Sequence, residues 1–180
     1  MLKKIEKILL TVVVVSFMAI LTSCADSTDT QNVNNVKKQD RERLEEANRY
    51  LVKQEKEIIN EYIQNSGKEY VETGTGLRYR IVNQGDSTII KAGDIVVMEY
   101  QNSLINGEVV YSSDNDGLKL FVVGRGGVER GLEEAVLHLH KGDEAEVIMP
   151  SYLAYGLTGD GNKIPPRSIL VYKLKIIDYK

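Results

Sequence analysis

Two tyrosines and a proline pair mark the stretch of this chain most able to bind and orient another molecule. In SYLAYGLTGDGNKIPPRSILVYKLKI, residues 151–176, Pro165 and Pro166 stand between a glycine-rich loop and a run that alternates like a strand. Tyr155 precedes the loop and Tyr172 lies within the strand. Other chemistries fail on spacing. His138 and His140 are two apart at a helix end with no third metal ligand nearby. SSDNDG imitates a calcium loop, but its twelfth position is Val123 and not a glutamate. GLTGDGNK lacks the lysine directly after the second glycine that a phosphate loop requires, and GRGGVERG is not a dinucleotide motif. The nucleophile motif G-x-S-x-G is missing as well. Hydrolase, nucleotide and metal chemistry are set aside. A site of aromatic and aliphatic side chains survives, and no cofactor or metal is expected.

The flanking sequence says where such a site would work. Lys3, Lys4 and Lys7 precede an apolar run, Ile8–Leu21, shorter than the ~20 residues of a membrane span. This reads as a secretory signal peptide over residues 1–23. The following LTSC resembles the bacterial lipobox, which makes Cys24, the only cysteine, the expected lipidation site; an uncleaved membrane anchor is the alternative. A lone cysteine also excludes an internal disulfide framework. The formal net charge is −3 and no basic block stands out, so nucleic acid is not an expected partner. The expected location is extracytoplasmic, membrane-anchored through lipid, facing the periplasm or at the outer membrane.

The polar stretch 24–37 reads as a disordered tether, since it holds little that could repay ordering. Over 38–66, Leu44, Leu51, Ile58, Ile59, Tyr62 and Ile63 recur at helical spacing, and Gly67 provides a stop. This amphipathic helix would pack on its own domain or space it from the membrane; helix-mediated self-association or partner docking is the other possibility. From residue 70 to 180 the pattern turns to strands. Val96, Met98 and Tyr100 share one face, as do Ala145, Val147 and Met149, and Leu170, Tyr172, Leu174 and Ile176. The single helical stretch is ERGLEEAVLHL, with Leu132, Val136 and Leu139 on one stripe. The expected class is α+β, an antiparallel sheet with one short helix and an N-terminal amphipathic helix.

Four segments in order, GDIVVMEYQNSLINGEVVYSS, FVVGRGGVERGLEEAV, KGDEAEVIMP and AYGLTGDGNKIPPRSILVYKLKI, resemble the FKBP-type peptidyl-prolyl cis-trans isomerases. The resemblance covers roughly residues 76–180. The layout of signal, helix and domain is further similar to FKBP-like lipoproteins associated with bacterial gliding motility. The resemblance implies a sheet curled around one short helix, an apolar pocket between them, and an X-Pro peptide bond as substrate. By position it implies catalytic roles for Tyr100, Tyr111, Tyr155 and Tyr172. Substrate binding would fall to Val110, Phe121, Val128, Glu129, Leu132 and Ile164, with Glu129 and Val128 acting through loop backbone groups and Leu132 forming the pocket floor.

Departures from the family pattern lie in the same places. Val110 and Tyr111 replace a common aromatic–aspartate pair, Leu132 stands where a tryptophan is common, and Lys119 falls near a position often aromatic. These imply reduced isomerase activity toward proline-containing exported or envelope proteins. The alternative is a noncatalytic binding module or chaperone that serves an envelope or motility complex.

Overall fold

The computed structural model describes residues 27–86 and 88–180. The expected signal peptide and Cys24 lie outside the described residues. Helix α1 runs Ser27–Ser66, so the part of the expected tether that is described, from residue 27, is helical. No glycine or proline interrupts that span, and helix propagation adds a hydrogen bond for each further residue ordered. Gly67, at φ 64°, ends the helix by donating its N–H to the Gln64 carbonyl. The chain divides into two compact units, one ending at Asn48 and the other spanning Arg49–Lys180. In the first, residues 37–48 of the helix are exposed, Leu44 among them, and Arg41 pairs with Glu45 one turn on.

The second unit contains, among the described residues, an antiparallel sheet of seven strands. They are β1 (Val71–Glu72), β2 (Arg78–Asn83), β3 (Ile95–Leu104), β4 (Val109–Ser112), β5 (Lys119–Val122), β6 (Glu144–Met149) and β7 (Leu170–Tyr179). Their order is β1-β2-β6-β7-β3-β4, with β5 pairing β3. A four-residue helix α2, Ser113–Asp116, follows β4, and α3, Arg130–Val136, crosses one face of the sheet. The β3–β4 hairpin turns at Asn106-Gly107, where Gly107 has φ 92° and donates to Leu104.

Alternation of side chains across β6 and β7 gives the sheet two apolar faces. On the first, Leu132, Ala135, Val136 and Leu139 pack against Val96, Met98, Val147, Met149, Leu170 and Ile176. Gly131 permits this closeness, because a Cβ there would lie 2.6 Å from Met149. On the opposite face Ile59 of α1 packs with Ile148, Ile169 and Val171, flanked by Tyr62, Ile63, Tyr70 and Ile105. The C-terminal part of α1 therefore packs on the outer face of the sheet and forms a second, smaller core with it. Burying an isoleucine contributes roughly 1.5–3 kcal/mol. Polar groups lock the helix as well: Glu55, 5% exposed, accepts from the Ser151 N–H at 2.9 Å and the Ser151 hydroxyl at 2.6 Å.

Candidate active site

Tyr155 follows the segment that Glu55 holds. Ser151–Leu153 forms one 3-10 turn after Pro150, and Gly156 donates back to the Ser151 carbonyl at 2.8 Å, which aims Tyr155 at the face carrying α3. Register places the other walls. Asn102 of β3 lies opposite Tyr172 of β7, and Tyr100 of β3 opposite Leu174, so Tyr100, Asn102 and Tyr172 project to one side. The Tyr100 and Tyr172 rings lie 6.1 Å apart, tilted by 35°.

A carboxylate sits at the centre of these tyrosines. Glu129, in the loop entering α3, has a side chain only 2% exposed. Its Oε1 accepts hydrogen bonds from the Tyr172 hydroxyl at 2.6 Å and the Tyr155 hydroxyl at 2.8 Å. Its Oε2 faces the Lys119 ammonium at 3.4 Å. Lys119 also donates to the Tyr172 oxygen at 3.3 Å and stands over two aromatic faces, 4.9 Å from the Tyr100 centroid and 5.5 Å from the Tyr172 centroid. A cation so placed gains roughly 0.5–2 kcal/mol from each favourable ring face. Asn102 donates its amide to the Tyr172 hydroxyl at 3.1 Å. Its Oδ1 is buried and without a hydrogen-bond partner among the described residues. Next to this network lies a cavity of about 380 Å³, lined by Lys119, Val128, Glu129, Arg130 and Tyr155, among others.

The electrostatics follow from this arrangement. Burial alone would raise the Glu129 carboxyl, but the Lys119 charge and the Tyr172 and Tyr155 hydrogen bonds outweigh it and hold Glu129 below the usual carboxylate range. Burial first, then the facing Glu129 charge, push the Tyr172 and Tyr155 phenols well above theirs. Both tyrosines are neutral donors at any physiological pH, suited to hydrogen bonding and not to proton transfer.

A flap closes the neighbouring edge. Asp160 accepts from the Asn162 and Ile164 amides, each at 2.8 Å, and from the Tyr111 hydroxyl at 2.5 Å. Lys163 stands over the Tyr111 ring, 4.8 Å from its centroid. Gly159, at φ 71°, has no room for a Cβ against the Ile164 carbonyl, so the loop folds on itself only with glycine there. Ile164, 2% exposed, is thereby fixed in the core cluster beside Tyr172 and Leu132.

The matching family model, FKBP-type peptidyl-prolyl cis-trans isomerase, spans residues 86–177. The chain belongs to this family. Relatives include the probable FKBP-type peptidyl-prolyl cis-trans isomerase FkpA of Neisseria meningitidis, 39% identical over 116 residues, which are 63% of this chain and 42% of that protein. The FKBP-type 22 kDa peptidyl-prolyl cis-trans isomerase of Escherichia coli is 38% identical over 117 residues, 64% of this chain and 56% of that one. FK506-binding protein 1 of Dictyostelium discoideum is 30% identical over 106 residues, 58% of this chain and 99% of that protein. The chain spans about half the length of the first two relatives.

The structure brings Tyr155, Tyr172 and Glu129 into hydrogen-bond contact, places Tyr100 beside Tyr172 and Val128 on the adjoining cavity, and leaves Leu132 and Ile164 in the core cluster that they adjoin. Val110 and Phe121 are 4% and 5% exposed in that cluster. Tyr111 makes no hydrogen bond to Glu129 among the described residues; its hydroxyl donates to Asp160 and latches the flap. The pocket is not wholly apolar, as the family resemblance implied. Lys119 and Glu129 drew notice for strand position and loop backbone, whereas their side chains meet as an ion pair inside it. Asn102 and Asp160 are further site residues that sequence reasoning passed over. Asn102 was findable, because it is two residues from Tyr100 on the same strand face. The two histidines serve structure: His138 stacks on Tyr79 at 4.8 Å, and His140 faces buried Asp143 at 3.2 Å.

Proposed function

We propose that this protein is a peptidyl-prolyl cis-trans isomerase that accelerates X-Pro rotation in exported or envelope proteins, with lower activity than a typical FKBP. The observation that carries this reading is the convergence of Tyr100, Tyr155 and Tyr172 on the Lys119–Glu129 pair, which lines a cavity together with Tyr155, in an FKBP-family fold. An uncatalysed X-Pro bond takes tens to hundreds of seconds to rotate, because the twisted amide loses its resonance. Aromatic walls favour the twisted, less polar amide over the planar one, and a tyrosine hydroxyl orients a carbonyl oxygen. No covalent intermediate or proton transfer is required. The signal-like segment and Cys24 support a lipid-anchored, extracytoplasmic location, and the layout supports a gliding-motility-associated lipoprotein.

The Lys119–Glu129 pair within the site favours a second reading, a noncatalytic FKBP-fold binding module or chaperone. Relaxation of a short X-Pro peptide from cis to trans separates the two. Acceleration that falls in Tyr155→Phe supports the isomerase. No acceleration by the wild type or by Lys119→Met, with the fold intact by circular dichroism, leaves the binding module.

A further inference from the structure

We infer that the seat between Tyr100 and Tyr172 is a primary-ammonium cage, occupied in the resting protein by the chain's own Lys119. The inference rests on the isomerase reading only for its effect on rate. The cage itself stands on the geometry: two ring faces 4.9 and 5.5 Å from the ammonium, the Tyr172 oxygen at 3.3 Å and the Glu129 carboxylate at 3.4 Å. Aromatic faces combined with a desolvated carboxylate recognise alkylammonium groups. Glu129 is kept charged and oriented by both tyrosine hydroxyls, so removing the lysine leaves a buried negative charge that calls for a cation.

The occupant is tethered but not sealed in. The Lys119 side chain is 20% exposed, against 2% for Glu129, and it lies at the edge of the 380 Å³ cavity. A prolyl ring that uses the Tyr100 and Tyr172 faces competes with this ammonium, so the site is blocked in cis until Lys119 swings out. When it does, the vacated cage accepts an alkylammonium of the kind a lysine side chain carries.

The test compares the full-length wild type with Lys119→Ala in n-propylammonium chloride and in equal concentrations of sodium chloride. Expected in Lys119→Ala are a rise in Tm specific to the ammonium salt and kcat/KM for an X-Pro peptide about tenfold above wild type. Added n-propylammonium should then return that rate toward the wild-type value. An ammonium-specific Tm rise with no isomerase activity in either protein upholds the cage and removes the isomerase reading. A folded Lys119→Ala with no ammonium-specific response overturns the inference. Should that variant fail to fold because Glu129 is left unpaired, the neutral Lys119→Met/Glu129→Gln pair replaces it. The inference then requires that double variant to lack any ammonium-specific Tm shift and, where the wild type accelerates the peptide, to be faster than wild type; an ammonium-specific Tm shift, or an equal or slower rate beside an active wild type, overturns it.

Discussion

Two buried glutamates on opposite sides of the sheet show how the same side chain serves structure in one place and a site in the other. Glu55 of α1 binds a backbone N–H and the hydroxyl of the same residue, Ser151, and the helix around it covers the apolar outer face. Glu129 is held mostly by side-chain donors, from β5, β7 and the flap base, with its own backbone N–H as the one main-chain contribution. A carboxylate held by backbone can leave only if the backbone moves. One held chiefly by rotatable groups, next to a cavity and to an Asn102 Oδ1 without a partner among the described residues, can be rearranged by a ligand. The first arrangement suits a fixed scaffold and the second suits recognition.

Variants can break this contrast, and the largest effects belong to the scaffold face. Ile59→Ala leaves a cavity against Ile148 and Val171 and should cost about 2–5 kcal/mol in urea unfolding. The isomerase rate per folded molecule should stay unchanged; a large rate loss would mean that the helix shapes the site. Next is Glu55→Ala, which orphans the buried Ser151 N–H and should cost about 1–3 kcal/mol. Because Tyr155 follows that turn, this variant should also lower the rate, which a pure scaffold role would not do.

On the site face, Tyr155→Phe removes one of two phenolic donors to Glu129, with an expected cost of roughly 1–2 kcal/mol and a several-fold slower rate. Tyr111→Phe cuts the link to Asp160 and should cost about 1 kcal/mol, with faster hydrogen exchange at the Asn162 and Ile164 amides. Tyr111→Asp restores the residue common in the family but sets two carboxylates against each other, so it should loosen the flap further.

A further effect is pH-dependent and belongs to the outer face. Burial would raise the Glu146 carboxyl, yet hydrogen bonds from Arg80, Lys68 and Tyr70 pull it down to about 2 from an ordinary 4.5. A depressed carboxylate stabilises the fold above its unfolded value and loses that contribution as pH falls toward the folded one. Stability should therefore decline between about pH 4.5 and 2, and Glu146→Gln should flatten this decline more than Glu129→Gln, measured by thermal melts.

Much of the fold was legible from periodicity. The alternation in GDEAEVIMP and SILVYKLKI named the inward faces of β6 and β7, and Leu132, Val136 and Leu139 named the stripe of α3. The helix start was missed, because a polar segment without apolar spacing gives no sign of continuing a helix that begins further along. At the site, the tyrosines could be placed from motif spacing, while the roles of Lys119, Glu129 and Asn102 could not. A charged residue on a half-buried strand normally reads as solvated.

By itself, then, the chain's order of residues determined the family, the strand-rich class and the sheet's inward faces, since these depend on local spacing and ordered motifs. Only the tertiary structure decided that Lys119 of β5, Glu129 before α3 and Tyr172 of β7 converge. It likewise decided that Glu55 braces the turn before Tyr155. Such meetings are set by how a curled sheet brings distant strands together, and a buried charge is tolerated only where that convergence supplies its partner.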